Sequence, residues 1–512
     1  MTSNTPDVQP TTATSSSGSD IETVDNGIED ETGLLAERAL ASGPIDDQTS
    51  QMIRRKIDLR ILPFLCITYA LQFMENTSMS YCSVYGIFPD KKLRGQDYSW
   101  ILSIFYFGYL AAEYPGIALM QKFRVAKFLG FNIILWGAVL MTSAACSSFT
   151  CLATMRFLLG VAEATISPGF VAIMGIWWTR QEQASRSSLW ISFLGVGSFI
   201  GTLIVYALTQ DNAQPVSWKR IFFELGVMTF VWGVLFSLAM PDSPTTATWL
   251  NENEKVAAVQ RIIENKTGTR SRNFVKAQVF EAITDPKIII LGLISFANAF
   301  ASGGLAYGSF VIQGFGFDPL KTTLLSLPLF TIQVVAQLGS GYLVSRIRDF
   351  RLHMASLAMV PPIVGTILIN QLRPDNRWGR LAGVWLLGSY PVGFMVILGL
   401  LSTNIAGTTK RSVASGWVFS CYCAGQIFGP QFFKNAEGPA YRNGIMAMLC
   451  AFALNAFLSQ ALRLHYVLEN KKRDRALEEM SEDEIATIEK LSEREGFEDV
   501  TDKYNAMFRY AL

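Results

Sequence analysis

The 512-residue chain has two histidines, His353 and His465, and only 17% of its residues are charged. Soluble domains carry about 25% charge, so this chain cannot clothe a water-facing surface in the usual way. Two histidines leave little for a metal centre or for imidazole catalysis. The seven cysteines form no CxxC pair and lie in or beside apolar runs. Neither a disulfide framework nor a zinc site is therefore expected. A glycine-rich phosphate loop, an HExxH helix and a GxSxG turn are also missing. No enzyme, no ATP-driven pump, no metal and no cofactor is expected. Net charge is +1, so no overall field draws nucleic acid. What is present is apolar: 50% hydrophobic residues and 12% aromatic, with 35 Phe.

Residues 1–55 form an expected disordered, acidic, cytoplasmic tail. Up to residue 50, Arg38 is the only base against ten acids. Within it, Asp30-Glu-Thr-Gly-Leu34-Leu35 reads as an acidic dileucine sorting signal. From residue 59 the pattern changes to twelve apolar stretches, each able to cross a core of about 30 Å as a helix. The expected spans 1 to 6 are 59–82, 98–120, 126–146, 151–177, 187–209 and 220–240. Spans 7 to 12 are 287–312, 320–344, 352–371, 379–405, 411–433 and 443–466. This predicts an all-α membrane protein with six-helix halves at 56–240 and 287–466. A polar central loop, 241–286, joins them, and a charged tail, 467–512, follows, with a helix expected over 476–495. Bases beyond Gly116 (Lys122, Arg124) and beyond Gly341 (Arg346, Arg348) give the halves a faint internal likeness, as in secondary transporters. Loop bases are nearly balanced between the two sides. The flanks, Arg54-Arg55-Lys56 and Lys471-Lys472-Arg473, put both termini and the central loop in the cytoplasm. The sequon at Asn265-Lys-Thr267 should then stay unmodified.

Ionisable residues at membrane depth are costly and mark function or structural pairing. They are Glu75, Glu113, Arg156, Glu163 and Glu224, all in the first half. Arg156 and Glu163 are seven residues apart, close to two helical turns, and so share a face. A fixed cation beside a titratable carboxylate suits anion binding coupled to protonation; the alternative is a pair that pins span 4 to a neighbour. Glu75 lies deep in span 1 beside Asn76. Glu113, near the end of span 2, suits a partner for loop bases, and Glu224 suits snorkelling. The second half offers only neutral polar positions, among them Asn298, Gln333 and Asn404. Gly197-xxx-Gly201 and Gly425-xxx-Gly429 permit close helix crossing. Pro115, Pro168, Pro328, Pro361, Pro362, Pro391 and Pro430 predict bends.

These segments resemble the major facilitator superfamily, and within it the fungal anion:cation symporter family and its allantoate permease group. Gln96-Asp-Tyr98-Ser99-Trp100 with Glu113-Tyr114-Pro115 is similar to that group's second helix. Arg156-Phe-Leu-Leu-Gly160 with Glu163-Ala164 and Pro168-Gly169-Phe170 resembles its fourth. Met240-Pro-Asp-Ser-Pro244, Asn404-Ile-Ala-Gly407 with Lys410-Arg411, and Asp499-Val-Thr501-Asp502 with Phe508-Arg509-Tyr510 also match. In that family span 1 usually carries an acid followed by a base. Here the base is replaced by Asn76, leaving Arg156 as the guanidinium at depth.

The resemblance implies a twelve-helix secondary transporter that couples protons to uptake of a small organic anion, a carboxylate or a ureide such as allantoate. Arg156 would attract the anion and Glu163 or Glu75 would carry the proton. A monomer in the plasma membrane is expected, with the vacuolar membrane as the alternative. One rival is an exporter of a secondary metabolite or toxic compound, such as one serving a biosynthetic cluster. The span 5 sequence Gly195-Val-Gly197 lacks the Gly-Pro pair usual in drug antiporters of the superfamily. The second rival is a nutrient sensor on a transporter scaffold.

Overall fold

The computed structural model describes residues 45–85, 87, 96–120, 122–209, 218–263, 275–347, 349–438, 440–479, 501–505 and 507–512. Among the described residues the regular structure is helical, with no strand. The Leu34-Leu35 signal, the Asn265 sequon and residues 480–495 of the expected tail helix lie outside the described residues.

All twelve expected spans occur as helical passages. Spans 1 to 6 are Asp47–Val84, Asp97–Met120, Val125–Ser143, Phe149–Glu163 with Ile166–Trp177, Arg180–Thr209, and Trp218–Ala239. Spans 7 to 9 are Pro286–Leu305 with Gly308–Gly314, Pro319–Leu325 with Leu327–Arg346, and Arg351–Leu357 with Val360–Gln371. Spans 10 to 12 are Arg377–Leu386 with Pro391–Thr403, Thr408–Phe428, and Arg442–Glu478. Ten passages are long and apolar enough to cross a bilayer. The other two, spans 2 and 11, are richer in Tyr, Ser and small residues, and they pack on each other across the halves. Large apolar side chains such as Leu238 and Phe457 point outward, as a lipid-facing surface requires.

The first half pairs span 1 with 5, 2 with 4 and 3 with 6, and the second repeats this as 7 with 11, 8 with 10 and 9 with 12. Glycines set the closest crossings. A Cβ on Gly108 would lie 2.1 Å from the Phe157 carbonyl oxygen, and one on Gly160 2.0 Å from that of Phe105. Gly197 meets the Ala70 carbonyl at 2.1 Å in the same way, and Gly429 meets that of Phe300 at 2.3 Å.

Apart from the span 7 break at Ala306-Tyr307, helix interruptions follow proline chemistry, because proline supplies no N–H to the preceding turn. Span 4 breaks at Ala164 and Thr165 before Pro168, and spans 8, 9 and 10 break before Pro328, Pro361-Pro362 and Pro391. Span 11 passes into a 3₁₀ turn at Gly429-Pro430. Pro115 is the exception among the expected bends, sitting inside one continuous helix, as Pro63 does in span 1.

Spans 1 and 12 outrun their apolar stretches, starting at Asp47 and ending at Glu478. Apolarity stops where the bases begin, but the helix continues because it still packs. Ile53 and Ile57 remain buried, and span 1 lies against the loop helix Glu252–Ile263. One expectation is corrected. Cys146 and Cys151 are joined by a disulfide across the short turn between spans 3 and 4, with Cα atoms 5.5 Å apart. The spacing matches no motif, and only the meeting of two helix ends brings the thiols together.

Candidate functional site

A cavity of about 160 Å³ lies between the halves. Arg156, Asn76 and Gln333 line it, from spans 4, 1 and 8. Of the other sequence-derived candidates, Glu75 and Glu163 stand behind Arg156, while Glu113, Asn298 and Asn404 lie off the cavity.

Arg156 and Glu163 do share a face of span 4, and that face is turned onto span 1. Arg156 Nη1 donates to Glu75 Oε1 at 2.8 Å, and Nη2 lies 2.9 Å from the Met79 sulfur. The guanidinium also rides over the Phe222 ring, 5.1 Å from its centroid. The pair is dry: the side chains are 6% and 1% exposed. Toward the chain termini, Glu163 adjoins Glu75 and accepts from Gln72 Nε2 at 3.0 Å. Glu163 Oε1 has no hydrogen-bond partner among the described residues. One cation is thus set against two neighbouring carboxyls. Such a cluster is low in energy only when its charges are balanced, and a proton on one carboxyl balances it.

Glu113 is buried, with Oε2 unpartnered among the described residues. Glu224 pairs with Arg220 at 2.8 Å on an exposed face. Asn298 donates to the Tyr390 carbonyl at the span 10 break. Asn404 exchanges two hydrogen bonds with Ala511, at 2.8 and 2.9 Å, and so holds the C-terminal tail.

Neutral groups close the cavity on the side away from the termini. Ser99 bridges the Tyr307 hydroxyl at 2.6 Å and the Pro430 carbonyl at 3.0 Å. Ser103 donates to the Ile427 carbonyl and accepts from Gln431. Ser80 meets Ser309, and Tyr85 meets Thr323, each at 2.9 Å. All of these bonds join one half to the other. On the terminal side Tyr106 and Tyr422 face each other across the halves, ring centroids 6.3 Å apart.

The sequence reading did not find a second cluster on the terminal side. Lys410 is fully buried and contacts Asp502, Glu281 and Asp285 at 2.7, 2.8 and 2.9 Å. Lys287 joins Asp502 at 2.6 Å, Arg473 donates to the Phe508 and Asp502 carbonyls, and Leu512 accepts from the Arg351 amide. Residues 501–505 and 507–512 are thereby strapped beneath the second half. Burial alone would raise the Asp502 carboxyl, but the Lys287 and Lys410 ammoniums outweigh it and hold it below the usual range. The legible signal was the Asp502 and Tyr510 ending; its partners lie too far off in sequence to be inferred.

Two pseudo-repeated helical halves around a central cavity with a buried charged cluster define a secondary transporter architecture. The family model described as the Major Facilitator Superfamily matches residues 65–430. The chain belongs to that superfamily. It is 35% identical to an uncharacterised transporter of Schizosaccharomyces pombe over 455 residues, 89% of this chain and 86% of that one. It is 31% identical to the allantoate permease of Saccharomyces cerevisiae, covering 94% of this chain and 90% of the relative. A thiamine pathway transporter of the same yeast is 32% identical, with 90% and 87% covered. Among solved structures, an inward-facing bacterial homologue of the human lysosomal transporter Spinster aligns with a TM-score of 0.58 at 14% identity. That alignment covers 82% of this chain and 97% of the other. The protein is a multi-pass membrane transporter of a small molecule and not an enzyme.

Proposed function

We propose that the protein carries a small organic anion, a carboxylate or a ureide such as allantoate, into the cell together with protons. The observation that carries this reading is the buried Arg156–Glu75 pair with Glu163 beside it, open to the cavity only through Arg156. With both carboxyls ionised the cluster has one net negative charge and repels an anion. One proton makes it neutral, and a second leaves a cation to match the anion. Anion binding and proton binding therefore favour each other. The relative named allantoate permease supports the substrate class. Asn76 in place of a base favours a monoanion over a dianion.

Alternating access uses the two seams between the halves, spans 2 with 11 and 5 with 8. The neutral bonds around Ser99 and Ser103 part when the outer side opens. The terminal face is cytoplasmic, the protein acts as a monomer, and its site of action is the plasma membrane. The test is uptake of labelled carboxylates, ureides and neutral metabolites at external pH 5 and 7, in cells expressing wild type or Glu163→Gln. Anion uptake that rises at pH 5 and is lost in the variant is expected. Faster loss of a preloaded compound, with no anion accumulating, would overturn uptake in favour of export.

A further inference from the structure

We propose that the compound held in the cavity is a compact carboxylate built on one planar ring, its carboxylate at Arg156 and its ring against Tyr106, Tyr390 and Tyr422. This rests on the reading of the cavity as the anion's binding site.

Size comes first. The cavity measures about 160 Å³; an apolar protein cavity of about 150 Å³ admits benzene. One ring with a small substituent fills that volume. Charge comes second. Arg156 is the only cationic side chain among the described residues lining the cavity, so one anionic group is matched and a second is not. Two of its guanidinium contacts are the Glu75 carboxylate and the Met79 thioether. A thioether is a weak acceptor that a carboxylate can displace.

Shape comes third. Tyr106 enters from the first half and Tyr390 and Tyr422 from the second, so a ring placed among them touches both halves. The Tyr106 and Tyr422 rings lie 6.3 Å apart, within the range of aromatic contacts. Two of these platforms are fixed by their hydroxyls. Ser302 pairs with the Tyr390 hydroxyl at 3.0 Å, and Gln426 donates to the Tyr422 hydroxyl at 3.0 Å and to Ser302 at 3.2 Å. Rigid aromatic faces favour a rigid planar ligand over a flexible chain, because less conformational entropy is lost on binding.

The experiment measures uptake and equilibrium binding of four labelled probes: benzoate, 2-naphthoate, propionate and benzamide. The full-length protein is used, as wild type, Tyr422→Leu and Tyr422→Phe, at matched membrane levels. Benzoate is expected to bind at least tenfold better than the other three. Tyr422→Leu is expected to lose that preference, and Tyr422→Phe, which keeps the ring, to retain it. Propionate taken up as well as benzoate, or a Tyr422→Leu variant with unchanged benzoate binding, would overturn the ring assignment and leave anion transport standing. Benzamide handled as well as benzoate would overturn both. Absence of benzoate binding would overturn the ring assignment alone if propionate is still carried, and both readings if it is not.

Discussion

Arg156 on span 4 and Glu75 on span 1 form a 2.8 Å ion pair with almost no exposure, at the inner wall of the cavity. Taking one partner away breaks a buried ion pair, which costs about 3–5 kcal/mol. Arg156→Leu or Glu75→Leu should therefore reduce folded protein in the membrane. The double substitution should recover folding without recovering transport. Thermal unfolding of the detergent-extracted variants checks the first part and labelled uptake the second. A double variant no more stable than either single one would show that the pair does not act as a unit.

The tail strap is a stability device with a defined pH range. The folded Asp502 carboxyl is held low by Lys287 and Lys410, so its contribution is complete above its unfolded pKa of about 3.9. It is lost as pH falls through the lower folded value. At neutral pH, Asp502→Asn should destabilise the second half by about 1–3 kcal/mol, since Lys410 keeps Glu281 and Asp285. The difference between variant and wild type should shrink only under strong acid. Unfolding midpoints at pH 7 and pH 4 measure it, and the gap at these two values should be similar.

Two glycines in the first half separate close crossing from mere helix content. A Cβ on Gly197 would strike the Ala70 backbone, whereas one on Gly175 meets nothing within 4 Å. Gly197→Val should cost about 1–3 kcal/mol or more. Gly175→Ala should be neutral or stabilise by up to about 1 kcal/mol. Expression and unfolding midpoints of the two variants should differ in that order.

The Cys146–Cys151 disulfide reports topology. Disulfides persist in oxidising compartments, so the turn between spans 3 and 4 should face outward. In intact cells a membrane-impermeant reductant followed by an impermeant maleimide should label both cysteines. Labelling only after permeabilisation would reverse the orientation argued from the flanking bases.

The twelve passages were legible because lipid leaves the backbone one choice, and long apolar runs record it. Most bends were legible from proline. Pro115 is the exception, lying inside one continuous helix. The site was half legible. Helical spacing placed Arg156 and Glu163 on one face, but nothing in the sequence said that the face meets Glu75 and Gln72, 81 and 91 positions away. Asn404 read as a cavity residue because it is polar in an apolar run. Its amide instead holds Ala511, a partner 107 residues away. The Lys410 cluster was not legible for the same reason, since its carboxylates come from the central loop and the far tail.

The most direct measurement is proton movement itself. Purified protein in liposomes, loaded with a pH-sensitive dye, is given an outside pulse of the transported anion at equal pH on both sides. The account predicts prompt internal acidification with wild type and none with Glu163→Gln, although the variant still binds the anion. Anion accumulation in wild type without acidification, or acidification undiminished in the variant, would contradict it.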